Sequence, residues 1–424
     1  MADVDVVVIG AGAAGIAAAR RLAGTVSVRV LEARDRVGGR AWTLRQDDLP
    51  LDLGCGWLHS ADENEWAMVA RTLGHAIDKT PPPWSRHSHQ LNFSAADQNE
   101  FADAWDRFDV RIATAAQAPH DRAAAECLEP GGRWNALLDA LSTYINGVEL
   151  DRLSVQDFAQ YRNTGVNWRV EAGYGALMQA YTAGLDVVLQ CPVTLIDHSG
   201  AQVRIETPRG TLTARAAIVT VPTSLIASGR LRFFPALPDK QEAAGALPLG
   251  LADKVFLRVE TPEDLPVQTR LFGATDRVAT GSYHLRPFGA PMIEGYFGGA
   301  FARELEEAGE AAFAAFAIEQ IAALLGNDMR KRLSLMAVSR WHRDPYARGS
   351  YSYAKVGCSG ERAVLAASVD DRLFFAGEAC SIHDYSTAHG AYRTGVRAAE
   401  EVLGVLRVSD RQGEALPLPT RGER

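Results

Sequence analysis

Val4-Asp-Val-Val-Val-Ile9, followed at once by Gly10-Ala11-Gly12-Ala13-Ala14-Gly15 and an Ala-rich stretch to residue 23, is the part of the chain that decides its fold. The first six residues are mostly β-branched and apolar, as in a parallel strand buried on both faces, and residues 13 to 23 favour helix. Glycines at 10, 12 and 15 permit a tight turn, close approach of backbone to a pyrophosphate and close helix packing. The unpaired N–H groups around Ala13 and Ala14 at the helix start favour an anion. A second strand, residues 26 to 31, runs into Glu32, 17 residues past Gly15. An acid at that distance suits a ribose hydroxyl and disfavours a 2′-phosphate, so FAD or NAD is expected rather than NADP.

Outward from this unit, 424 residues and 45.8 kDa exceed one ordinary core and predict two domains. With 47% hydrophobic and 23% charged residues the chain is globular, and its net charge of −8 argues against a nucleic-acid partner. No apolar run reaches the length of a membrane span. The N-terminus enters a strand without a basic region or cleavage site, so a cytoplasmic protein is expected. Five scattered cysteines suggest neither a disulfide framework nor a zinc site, and His87 with His89 lacks further ligands nearby.

Character changes at residues 77 to 182, which hold Pro81-Pro82-Pro83, half of the tryptophans and helix-like stretches at 99 to 118 and 135 to 146. Alternating strands return at 187 to 221. A strand is expected from Lys254, a helix pair over 301 to 325, a last strand at Leu373 and a last helix over 388 to 404. The predicted division is a discontinuous nucleotide-binding domain (1–76, 183–250 and 349–407), a second domain (77–182 and 251–348) and a disordered tail (408–424).

The continuation Glu32-Ala33-Arg34-Asp-Arg-Val-Gly-Gly39-Arg40 brings paired glycines and a charge-assisted fork toward a pyrophosphate. It resembles the second fingerprint of the flavin amine oxidase family and is followed by the similar segment Leu51-Asp-Leu-Gly54-Cys-Gly56-Trp57-Leu-His59. Further likeness lies in Ile218-Val-Thr-Val-Pro222, Leu249 to Leu257, Trp341 through Gly349-Ser-Tyr351-Ser-Tyr353, and Phe375-Ala-Gly377-Glu378 through Tyr385-Ser-Thr387-Ala388-His389. Only residues 77 to 165 lack a clear match. Within the family the chain most resembles polyamine oxidases of the spermine and N1-acetylpolyamine type, and the lysine-specific histone demethylases share several of these segments.

The resemblance implies an α/β fold, a Rossmann-like FAD-binding domain of the amine oxidase type with an inserted α+β substrate-binding domain. It implies that Lys254 holds a water against flavin N5, and burial would make that amine able to exchange protons near neutrality. Tyr351 and Thr387 would wall the substrate amine, with Tyr385 an alternative register for the second wall. Trp57 and Trp341 would neighbour the flavin, His59 would face the amine and either orient the substrate or exchange a proton near pH 7, and Glu378 would meet the ribityl and pyrophosphate region. Gly54, Gly56, Val193, Gly377 and Ala388 complete the implied cofactor contacts. Ser350 stands where some relatives carry a cysteine bonded to FAD, so the FAD is expected to be non-covalent. Asp62, Glu63 and Glu65 either steer a polycation or form a helix N-terminal charge run.

The implied activity is amine oxidation by hydride transfer to flavin N5, giving an imine or aldehyde and, with dioxygen, hydrogen peroxide. A small-molecule amine, a polyamine or relative of one, is the expected substrate, with no membrane partner. Three alternatives stay open: an oxidase of L-amino acids or of aromatic or alkaloid amines, the former needing a buried Arg toward the substrate carboxylate; a flavin-binding protein without oxidase turnover; and the same chemistry with electrons passed to a carrier protein rather than dioxygen.

Overall fold

Val4–Ile9 lies between two parallel neighbours, Val28–Leu31 and Gly210–Val219, in a computed structural model that describes residues 2–85, 87–91 and 93–414. Val187–Val188 extends the sheet in parallel beyond Val28–Leu31, and Leu373–Phe375 pairs in parallel with Gly210–Val219. An antiparallel ribbon of Val203–Thr207 and Leu195–Asp197 completes the other side, with Arg232–Phe234 at the edge. The apolar run buries both faces. Val6 and Val8 pack under the helices Ala13–Leu22 and Ala388–Glu414. Val7 and Ile9 join the opposite core with residues of Thr223–Ala227, Pro238–Ala246 and Glu361–Ala366. A Cβ on Gly15 would lie 1.9 Å from the Gly10 carbonyl oxygen, so only glycine lets the first helix start this close to its strand.

The second sheet runs Thr269–Phe272, Ser282–Leu285, Met292–Gly298, Ala252–Val259 and Leu333–Val338, every neighbouring pair antiparallel. Side chains alternate between its faces. Val255, Leu257, Leu271, Tyr283, Leu285 and Ile293 share a core with the helices Gly299–Ala308 and Glu310–Leu325. The opposite face carries two cross-strand rows: Lys254, Tyr296, Ser282 and Phe272, and beside it Phe256, Glu294, His284 and Arg270. The helices Ala95–Ala115 and Asn135–Ile145 stand over this region, with Phe93, Phe101, Trp105 and Trp134 clustered against Phe272.

Two expectations are corrected. Residues 167 to 182 were assigned to the inserted region, yet Asn167–Val170 pairs with Leu58–His59 and Ile77–Asp78, and Tyr174–Thr182 gives Tyr174, Leu177 and Met178 to the core under Ala13–Leu22. A composition shift marks where a chain departs but not where its apolar faces rejoin the first core. The last helix extends to Glu414 rather than ending near 404, carried by Val402, Leu403 and Leu406, which pack into that core. Residues 408–414 of the expected tail are thus helical, and 415–424 lie outside the described residues. Among the described residues no helix is long and apolar enough to cross a membrane.

Candidate active site

A cavity of about 1230 Å³ runs from the glycine-rich turn to the polar face of the second sheet. Of the residues that the sequence assigns to cofactor and catalysis, all line it except Gly15, which is buried against Gly10. The nucleotide end is built from backbone. Gly12 and Gly39 face each other with no side chain between them, and a Cβ on Gly39 would sit 3.2 Å from the Gly12 Cα. The first intrahelical bond runs from Ile16 N–H to the Gly12 carbonyl, so the N–H groups before it are left for an anion. Glu32, 3% exposed, accepts the N–H groups of Ala11 and Arg34, each at 2.8 Å, which fixes its carboxylate at the strand end. A Cβ on Gly377 would meet nothing within 4 Å, so the cavity is open beside it. This side-chain-free trough, with an anchored acid at one end and a helix N-terminus beside it, fits a dinucleotide, and Ala13, Ala14, Glu32, Gly39 and Val193 are the residues that would hold FAD there.

Arg40 and Glu378 are already partnered. Arg40 donates to the Ser350 carbonyl at 2.7 Å and pairs with Glu378 at 2.9 Å. Glu378 also accepts from Ser352 Oγ at 2.7 Å and the Ser386 N–H at 2.9 Å. Burial would raise its carboxyl, but Arg40, Ser352 and Arg362 together hold it below the usual carboxylate range. Glu378 therefore ties the strands and loops on both sides of the trough to one carboxylate. Ser350 Oγ exchanges hydrogen bonds with the backbone of Ala252, both at 2.8 Å. Cys55, the nearby thiol in the lining, is pushed up to about 12 by burial and stays protonated.

Lys254 sits where the trough meets the second sheet. Its ammonium donates to the Asp52 carbonyl at 2.8 Å and pairs with Glu294 at 2.9 Å, and it lies 5.2 Å from the Tyr296 ring centroid. Glu294 is fully buried and binds Arg169 at 3.1 Å, whose guanidinium lies 5.0 Å from the Trp57 ring. Burial alone would raise Glu294, yet Arg169 and then Lys254 outweigh it and hold the carboxyl far below its ordinary value. The partly buried amine expected from sequence is one member of an Arg169–Glu294–Lys254 array. Two ammonium hydrogens are engaged, which leaves one for the cavity.

The Tyr351 hydroxyl donates to the Tyr144 carbonyl, which leaves the ring as cavity surface. The Thr387 hydroxyl donates to the Asp384 carbonyl at 2.6 Å and accepts the Gly390 N–H at 3.0 Å, capping the last helix. Tyr385 also lines the cavity, but it is 2% exposed, with Arg362 stacked 3.8 Å from its ring centroid. His59 bonds Asn167 at 2.6 Å, and burial lowers its pKa to about 4, so the expected proton exchange near pH 7 is corrected to a neutral ring. Trp57 meets Trp84 edge to face at 4.5 Å, and Phe93, Phe101 and Trp105 of the aromatic cluster also line the cavity. Trp341 donates to the Leu53 carbonyl at 2.9 Å. Asp62, Glu63 and Glu65 do not line the cavity; Glu65 pairs with Arg393 at the start of the helix Glu65–Thr72.

Sequence reasoning missed Glu294, Arg169, Trp84, Tyr144 and Arg270. The available signal was an acid, Glu294, inside the otherwise apolar Met292–Gly298.

With this geometry in hand, comparison with known proteins is informative. The chain matches the flavin containing amine oxidoreductase family over residues 13–147 and 97–403. It is 31% identical to polyamine oxidase 2 of Arabidopsis thaliana, over 99% of this chain and 92% of that protein. It is 28% identical to polyamine oxidase 4 of Oryza sativa subsp. japonica, over 94% and 88% respectively. Among solved structures, cyclohexylamine oxidase from Brevibacterium oxydans superposes with a TM-score of 0.77 at 20% identity, covering 96% of this chain and all (100%) of that one. Putrescine oxidase bound to putrescine gives a TM-score of 0.77 at 20% identity, with 95% and 99% coverage.

Proposed function

This chain belongs to the flavin containing amine oxidoreductase family, and on that footing we propose that it oxidises a C–N bond of an aliphatic amine related to the polyamines, with dioxygen as acceptor and hydrogen peroxide as product. FAD-dependent oxidation of amines is its activity. When bound, FAD supplies a two-electron acceptor for the hydride leaving the carbon next to nitrogen, and water hydrolyses the resulting imine to an aldehyde.

The observation that carries the proposal is the seat of Lys254: its ammonium is held by the Asp52 carbonyl and Glu294 with one N–H left for the cavity, between the glycine trough and the aromatic chamber. That N–H positions a water at the junction of the two. The substrate must react as the free amine. For an alkylamine with a pKa of about 10.4, deprotonation at pH 7 costs about 4.6 kcal/mol. The rings of Trp57, Trp84 and Tyr351 offset part of this by disfavouring the charged form. Neutral His59 adds no positive charge beside the amine. The backbone and thiol contacts support non-covalent FAD: Ser350 is bonded to Ala252 and Cys55 remains a thiol. The test is oxygen uptake and peroxide release with linear amines, aromatic amines and amino acids. Peroxide formed in step with a linear amine supports the proposal, and turnover of aromatic amines alone contradicts it.

A further inference from the structure

Among the described residues, the far wall of the substrate chamber carries a cation with no acid paired to it. Arg270 lines the cavity from the strand Thr269–Phe272. Its Nε donates to Ser282 Oγ at 3.1 Å and its guanidinium stacks 4.0 Å from the Phe272 ring centroid. Among the described residues no carboxylate pairs with it. Burial lowers its pKa to about 10, opposed by Tyr144 and Tyr296, and it remains a cation at neutral pH. The carboxylates lining the cavity are Glu32, Asp106, Asp253 and Glu378. Glu32 and Glu378 belong to the nucleotide trough as described, and Asp253 is bonded by Ser339 at 2.7 Å and the Trp341 N–H. Asp106 is exposed on the helix Ala95–Ala115.

A half-buried guanidinium with no carboxylate partner among the described residues carries a desolvation cost, which an anionic ligand relieves. Among the described residues no carboxylate pairs with the guanidinium there, and its positive charge disfavours a second ammonium group beside it. Register places Arg270 and Lys254 on the same face of the second sheet, three strands apart: Arg270 opposite His284, His284 opposite Glu294, and Lys254 one row over, opposite Tyr296. At about 4.8 Å per strand the two backbones stand about 14 Å apart. That separation suits an extended chain with its two ends apart.

The geometry points to a substrate that is a linear amine carrying a carboxylate at its far end, the amine reacting near Lys254 and the carboxylate received by Arg270. This deepens the amine oxidase reading and rests on it. The distal carboxylate takes the place that a further ammonium group would hold in a simple polyamine. Ser282, bonded to Nε, helps hold the guanidinium on the cavity wall.

The test uses the FAD-loaded enzyme and linear amines of stepped length in matched sets that end in carboxylate, carboxamide or ammonium. Wild type is expected to show a KM at least tenfold lower for the carboxylate-ended member of the best-fitting set. Arg270→Gln should bring the members within twofold of one another, and Arg270→Lys should restore part of the preference. A wild-type preference for the ammonium-ended amine, no preference, or a preference that survives in Arg270→Gln overturns the inference. So does better turnover of an α-amino acid than of any member with separated ends. A second readout needs no turnover: linear monocarboxylates without an amine should shift the flavin spectrum of wild type and not of Arg270→Gln. If that shift is seen but no amine is oxidised, the anion site stands and the substrate reading fails; if the shift is absent, the anion site fails.

Discussion

Lys254 is the residue on which the proposed chemistry turns. Its ammonium is oriented by one carbonyl and one carboxylate, and a methionine of similar length keeps the packing while removing every donor. Lys254→Met is therefore expected to slow flavin reduction or reoxidation at least tenfold with FAD still bound, as read by stopped-flow absorbance; wild-type rates would remove Lys254 from the mechanism. His59 makes the opposite kind of prediction. Its pKa is lowered to about 4, so the ring stays neutral across the working range, and His59→Gln should not remove an inflection near pH 6.5 from the kcat/KM profile. The stability effect has a definite sign. The unfolded chain binds the proton more readily, so stability falls as pH drops from about 6.5 toward 4, by up to about 1.4 kcal/mol per unit. Urea melts of wild type and His59→Gln at pH 7 and pH 5 should show the smaller acid loss in the variant. Likeness to known sequences was enough to single out Lys254, Tyr351 and Thr387. It could not show that Glu294 holds the lysine, because the two residues are 40 positions apart and meet only across a pair of strands.

At the scale of elements, the first strand–turn–helix was legible because its signals are local: a strand apolar on both faces, a glycine where a methyl group would strike a carbonyl, and an acid ending the next strand. Gly15→Ala tests this directly. With 1.9 Å between the added Cβ and the Gly10 oxygen, the helix must move off the strand, and the purified variant should lose most of its flavin and melt at lower temperature. The second sheet was less legible. Only Ala252–Val259 showed as a strand from sequence. The neighbouring strands turn Arg270, His284 and Glu294 to the cavity, and those charges, with Gly295 between them, interrupt the apolar pattern that periodicity depends on. Their burial has an energetic signature. Glu294→Gln leaves Arg169 and Lys254 as adjacent buried cations, a change expected to cost about 3–5 kcal/mol. Chemical denaturation should show that loss, and a change below about 1 kcal/mol would mean that the array is not coupled as its geometry indicates.

Over the whole molecule, the two sheets meet along one cavity, so cofactor and substrate are held by different parts of the chain and brought together at Lys254. The return of residues 167 to 182 to the first core was invisible in composition, since Tyr174, Leu177 and Met178 look the same whichever core they enter. Because the trough is made of backbone, Ser350 and a protonated Cys55, acid precipitation should leave all the flavin in the supernatant; a yellow pellet would refute non-covalent binding. The most direct test of the central claim is anaerobic mixing of the FAD-loaded enzyme with linear amines, followed by air. Rapid loss of the flavin's visible absorbance with an amine, and its recovery when oxygen is admitted, is the predicted result. Absorbance that no amine changes would contradict it.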